Sequence, residues 1–174
     1  MSIQLIFCVE TNKKTNSDWY YLNTIIHQFY RIDSNVKLSV VYMDGKNKYK
    51  QNSVVSKINR YCNMYMGKNT HIIYCFDTDD INNSAKSLSF MSEVEDYCLK
   101  NMYDFVWFNR DIESVILGRS VSNSEKVACA IDYVRKKSYV NLNTRKLEKE
   151  NKCNDGSNLF KVLDKYLVRK DAWQ

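Results

Sequence analysis

Four short runs of nearly unbroken apolar residues, each followed by a segment of helical period, constrain this chain more than any other feature. Residues 3–9 (IQLIFCV), 36–43 (VKLSVVYM), 71–76 (HIIYCF) and 103–108 (YDFVWF) have strand length and are rich in β-branched and aromatic side chains. Trp19, Leu22, Ile26 and Phe29 recur at helical spacing behind a cap at Ser17 and Asp18. Val54, Ile58, Tyr61 and Tyr65 mark a second helical face that stops near Gly67, after an Asp44-Gly45 turn. Leu88, Met91, Val94 and Cys98 mark a third behind Ser84, and a short helix from Asp111 to Leu117 ends at Gly118. Strands apolar on both faces and joined by helices predict an open, mainly parallel four-stranded α/β sheet over residues 1–118, with helices on both faces.

Past Gly118 the pattern changes. A helix is predicted at about 125–137, with Val127, Ile131 and Val134 on one face, and an amphipathic helix runs through Leu159, Leu163, Tyr166 and Leu167. The polar Asn- and Lys-rich stretch 141–158 between them is expected to be a mobile loop. Residues 119–174 therefore read as a helical extension packed on the α/β domain. Charge follows the same boundary. Residues 1–118 carry 13 Lys/Arg against 13 Asp/Glu, whereas 119–174 carry 13 against 7, so the whole formal +6 belongs to the extension. Arg135, Lys136, Lys137, Arg145 and Lys146, with Tyr133 and Tyr139 nearby, suit phosphate contact and base stacking, and equally suit a solvated helix face.

Composition removes several classes of function. The only glycines (Gly45, Gly67, Gly118 and Gly156) lie far apart and proline is absent, so neither a Walker loop nor a GxGxxG turn can be built. Six scattered cysteines without a CxxC and two histidines, His27 and His71, give no zinc spacing. The thiols are expected to be reduced, in a cytoplasmic protein. The apolar start is too short for a membrane span and lacks a basic flank, so neither an anchor nor a signal peptide is expected. Trp107 and the aromatic strands are expected in the core.

The first and third strands end in acids: Glu10 after FCV, and Asp77, Asp79 and Asp80 after YCF. Ligands of open α/β sheets bind beyond the carboxyl ends of the strands. Were those two strands neighbours, Glu10, Asp77 and Asp79 would converge. Their mutual repulsion would then favour a hard divalent cation, Mg²⁺ or Mn²⁺, and with it phosphoryl-transfer chemistry. Such acids also serve as ordinary turn and cap residues. Lys13 and Lys14, between the first strand and helix, could contact a phosphate or merely be solvated. FDTDDI approaches the HAD phosphatase signature, but two strands precede it instead of none.

The acid ending the first strand (FCVET) and the aspartate pair ending a later one (YCFDTDD) together resemble the Toprim superfamily, found in topoisomerases, primases, OLD-type nucleases and RecR proteins. Two further stretches are similar to its RloB-like branch. ETNKKTNSDWYY, Glu10 to Tyr21, is similar to an EG-x-x-TE-x-x-Y signature, and NRDIE, Asn109 to Glu113, looks like an N-P-x-F-E-type motif. Thr11 stands in place of the family's glycine, Arg110 in place of its proline and Ile112 in place of its aromatic residue. The resemblance spans residues 3–118. It implies a Toprim-like fold with Glu10 as acid/base or metal ligand and Asp77 and Asp79 as ligands of Mg²⁺ or Mn²⁺. Glu113 would line the site with Asn109 and Asp80, and Asp18 is the looser match to the helix signature. The function implied is a Mg²⁺-dependent, nuclease-like enzyme of nucleic-acid phosphodiesters in DNA processing or mobile-element defence. The alternative is a non-catalytic module that binds nucleic acid or a protein partner. Convergence of all three strand-end acids favours the enzyme, and an acid capped by a lysine is tolerated by the module.

Overall fold

A computed structural model describes residues 2–65 and 69–170. The order is β1 (Ile3–Val9), α1 (Ser17–Phe29), β2 (Val36–Tyr42), α2 (Asn52–Met64), β3 (Thr70–Asp77), α3 (Ala85–Lys100), β4 (Asp104–Phe108), α4 (Ile112–Leu117), α5 (Lys126–Arg135) and α6 (Leu159–Leu163). The four strands form one sheet in the order β2-β1-β3-β4, and every pairing is parallel. The expected α/β architecture is therefore present. The stop expected near Gly67 lies outside the described residues. Among the described residues no helix is long and apolar enough to cross a membrane.

Alternation along β1 divides the core between the two faces of the sheet. Leu5, Phe7 and Val9 pack with α1, α4, α5 and α6. Ile6 and Cys8 point the other way, against Val54 and Ile58 of α2 and Met91, Val94 and Cys98 of α3. That second face is an aromatic cluster in which Tyr49 meets Phe76, Phe90 and Tyr97 edge-on. Trp107 is buried in it. Parallel strands need both faces covered, and the helices of each crossover provide the cover.

Ser84 caps α3, accepting from the Ser87 amide at 3.2 Å. Asp111 caps α4, and Gly118 closes it in the left-handed conformation. Three expectations about the helices need correction, as does a fourth, the mobile loop at 141–158. Leu88, assigned to the apolar face of α3, is 46% exposed. On α5 the buried residues are Ala130 and Tyr133, while Ile131 and Val134 face outward. Tyr133 packs on Tyr21 of α1, ring centroids 5.2 Å apart, and this contact sets the rotation of the helix. The last helix ends at Leu163 rather than running on through Leu167.

The 141–158 stretch is fastened to the domain. Leu147 and Ser157 are fully buried. The Ser157 amide donates to the Lys146 carbonyl at 2.6 Å, and the Asn109 amide donates to the Gly156 carbonyl at 2.8 Å. The side-chain amide of Asn158 donates to the Phe105 carbonyl while its oxygen accepts from the Trp107 amide, so this stretch pairs with the edge of β4. Gly156 makes this possible. Its φ is +141°, and a Cβ there would collide with the Lys146 carbonyl and the Lys149 side chain. Gly156→Ala is expected to lower stability by about 2 kcal/mol or more, read by urea unfolding. An unchanged midpoint would mean that the stretch detaches freely.

Candidate functional site

With β1 and β3 adjacent and parallel, their carboxyl ends bring Glu10 and Asp77 together. The Asp77 amide donates to Glu10 Oε1 at 2.8 Å. Asp77 Oδ1 in turn accepts from the Ile112 amide at the start of α4, at 3.0 Å. Asp18, in the first turn of α1, joins them. Its Oδ2 accepts from the Thr11 amide at 3.3 Å instead of capping its own helix. The N–H of Thr11, at the position where the resemblance expects glycine, is thereby already occupied. Glu10, Asp18 and Asp77 line one tight recess with Leu22, Cys75, Phe108 and Ile112.

Glu113, in the first turn of α4, is fully buried. Its Oε2 accepts from Lys126 Nζ at 2.9 Å, and its Oε1 has no hydrogen-bond partner. Lys126 opens α5 on the face that carries Ala130 and Tyr133, and its field reaches Glu10, Asp18, Asp77 and Glu113. One ammonium therefore serves four neighbouring carboxyl groups.

Too little positive charge in a desolvated place raises acid pKa values, and all four acids move that way. Burial pushes Glu10 up to about 7, against the opposing hydrogen bond from the Asp77 amide. Burial also raises Asp77 well above the usual carboxylate range, with the Glu10 and Asp18 charges adding to it. Asp18 and Glu113 rise chiefly through burial. For Lys126, burial opposes the charged form but is outweighed by the hydrogen bond to Glu113 and the charge of Asp77, so its pKa is raised. Glu10 and Asp77 each keep some open surface while lying deep among protein atoms. They therefore sit at the mouth of the site.

Asp79 takes a different course. The Thr78 amide donates to the Phe108 carbonyl and the Asp79 amide to the Arg110 carbonyl, both at 2.9 Å. The chain turns there through a left-handed Asp79, φ +49°. The side chain is half exposed and pairs with Lys46, on the short 3-10 turn Lys46–Lys48 that follows β2. Lys46 also lies close enough to Glu10 to favour its ionised form. Asp80 is exposed and accepts from the Asn83 side chain. Asn109 is buried and donates to the Lys152 carbonyl at 2.8 Å. Lys13 and Lys14 are exposed on the β1–α1 loop.

Of the basic residues in the extension, Arg135 and Lys136 both pair with Asp132 and Lys146 pairs with Asp155. Lys137 and Arg145 are exposed, Lys137 in a left-handed turn after α5 and Arg145 in the 3-10 turn Thr144–Leu147. His27 bonds the Asn23 carbonyl within its own helix, and His71 stacks on Tyr166.

Among the described residues, no three or more His, Cys, Asp or Glu side chains close on one point as a metal would require. The donors nevertheless suit a hard divalent cation in kind: carboxylate oxygens of Glu10 and Asp77, and a buried, unpartnered oxygen on Glu113. Asp79 could add to them only by leaving Lys46. Sequence reasoning passed over both lysines. Lys126 could have been found from its spacing to Ala130 and Tyr133, four and seven residues on, which puts a cation on the buried face of a helix.

Compared with models of known families, with curated proteins and with solved structures, the chain has no significant match.

Proposed function

We propose that the chain is a Mg²⁺- or Mn²⁺-dependent enzyme acting on nucleic-acid phosphodiesters. The observation that carries the reading is Glu10. It lies at the open carboxyl end of β1, hydrogen-bonded to the Asp77 backbone, with its carboxyl group pushed up to about 7. A carboxyl group poised near neutrality has a substantial population of either form, which suits general acid/base work on an attacking water or a leaving oxygen. Asp77, with Asp79 once released, would hold the cation, leaving Glu10 unligated as the acid/base, and when bound the cation would stabilise charge developing on the phosphoryl oxygens. Glu10 would move the proton, Asp77 would fix Glu10 through its amide, and Lys13 and Lys14 would meet the strand from the open side.

The second reading, a non-catalytic module that binds nucleic acid or a protein partner, is favoured by the Lys46–Asp79 pair and by Lys126 inside the cluster. One experiment separates them. Single- and double-stranded DNA and RNA are incubated with the protein in millimolar Mg²⁺ or Mn²⁺, with Asp77→Asn beside the wild type, and Mn²⁺ uptake is followed by electron paramagnetic resonance. The enzyme reading expects cleavage that falls by about 10²-fold or more in Asp77→Asn, together with weakened Mn²⁺ uptake. Absence of both cleavage and Mn²⁺ uptake in the wild type would leave the binding module.

A further inference from the structure

A cavity of about 350 Å³ lies beside the carboxylate cluster, where the β4–α4 connection meets the residues after Gly118 and the fastened 146–155 segment. Its charged lining consists of Arg110, Arg119, Lys146 and Asp155. Lys146 and Asp155 pair at 2.7 Å and cancel, which leaves two guanidinium groups. Arg119 makes long contacts, at 3.5 Å, to the Ser120 carbonyl and Cys129 Sγ, and Glu125 feels its charge from beyond ion-pair distance. The Arg110 guanidinium has no ion-pair partner among the described residues. Asn109 and Ser114 also line the cavity, and the Ser114 hydroxyl is buried without a hydrogen-bond partner.

Arg110 is held there at a conformational cost. Its φ of +63° is uncommon for a residue with a Cβ, and such positions persist only where the surroundings fix them. Here its amide donates to Thr78 Oγ1 at 2.9 Å and its carbonyl accepts from the Asp79 amide. The same turn that delivers Asp77 to Glu10 thus delivers a guanidinium to the cavity.

No aromatic side chain lines the cavity, so base stacking is not on offer. What remains is a polar chamber with two guanidinium groups that lack an ion-pair partner among the described residues, the charge of a phosphate monoester dianion with the sign reversed. A terminal phosphate monoester carries two negative charges where an internal phosphodiester carries one, so a pair of guanidinium groups fits the end of a strand better than its middle. We propose that this cavity binds the terminal phosphate of a nucleic-acid strand, with Arg110 and Arg119 as its principal ligands. The choice of a nucleic acid as the source of the phosphate rests on the function proposed above; the phosphate chemistry does not.

The test uses the full chain in EDTA, so that neither a metal nor turnover is required. Fluorescence anisotropy compares a short single-stranded oligonucleotide carrying a 5′-phosphate or a 3′-phosphate with its hydroxyl-ended twin. Phosphorylation at one end is expected to tighten binding about ten-fold, and millimolar inorganic phosphate should erase the difference. Arg119→Glu, at an exposed position, and Arg110→Asn, which suits a left-handed backbone, should each abolish the preference. Arg60→Glu, the same change of charge on α2, should keep it. Equal affinity for phosphorylated and unphosphorylated strands overturns the proposal, as does a preference that survives Arg119→Glu. Binding of inorganic phosphate without discrimination between the strands rejects a nucleic acid as the source. These binding measurements are read without turnover, so failure of the nuclease assay does not alter their outcome.

Discussion

At pH 8, Glu10→Gln is expected to melt roughly 3–10 °C above the wild type, and the difference should close as the pH is lowered to 5. In the folded protein the Glu10 carboxyl is pushed up to about 7 by burial, against an ordinary value of 4.5. Between those two values the folded state binds more protons than the unfolded state, so stability falls as pH rises through the window and the loss is complete above about 7. A displacement of that size is worth about 3 kcal/mol as an upper figure, because Glu10 titrates together with Asp77 and Asp18. Glutamine keeps an oxygen to accept from the Asp77 amide and carries no charge to desolvate. Urea or thermal unfolding of both proteins from pH 5 to 8 reads the effect directly. A glutamine variant less stable than the wild type at pH 8 would show that Lys46 and Lys126 already compensate the cluster. Stability surrendered at a cluster of acids is the usual mark of residues retained for function. If a divalent cation is the missing charge, millimolar Mg²⁺ should raise the wild-type melting temperature at pH 8 and do so much less for Glu10→Gln.

The framework of this site was legible in the sequence because apolar runs and acids both lie along strands, where position along the chain maps directly onto position in space. Once β1 and β3 read as parallel strands with acids at their ends, the meeting of Glu10 and Asp77 required only that they be neighbours. Asp79 was not legible. Its direction depends on a left-handed residue and on hydrogen bonds to Phe108 and Arg110, some 30 residues away, and a DTD triplet encodes neither. The rotation of α5 was hidden for another reason. Val127, Ile131 and Val134 form an apolar face as regular as the one actually buried, and the choice between them is made by Tyr21 and Glu113 on other helices. In 141–158 polar composition outweighed two local signals, Leu147 and Gly156, that mark a segment held against the domain. Local chemistry was readable throughout. Contacts between distant segments were readable only where strand pairing dictated them.

Lys126→Met is expected to have the largest effect of any substitution at this site, and it acts in the opposite sense to Glu10→Gln. Lys126 Nζ lies 2.9 Å from Glu113 Oε2, and the Glu113 side chain is 0% exposed. Methionine preserves much of the apolar stem and removes the charge, leaving a buried carboxylate with neither oxygen paired. Breaking a buried pair in this way typically costs about 3–5 kcal/mol, and the 22% exposure of Lys126 places this one near the lower figure. The loss should be greatest at pH 8 and shrink toward pH 5, because Glu113, already raised by burial, will take a proton once its partner is gone. Adding Glu113→Gln should return most of the stability at pH 8, since a neutral pair leaves no uncompensated charge. The single variant also distinguishes the two functional readings. Lysine and a divalent cation compete for the same carboxylates, so if Glu10 and Asp77 belong to a metal site, millimolar Mn²⁺ should stabilise Lys126→Met more than it stabilises the wild type. If Lys126 is instead the cluster's permanent counter-ion, Mn²⁺ will leave the melting temperature of the variant unchanged. The acids at the ends of β1 and β3 would then be structural, in a module that binds rather than cleaves.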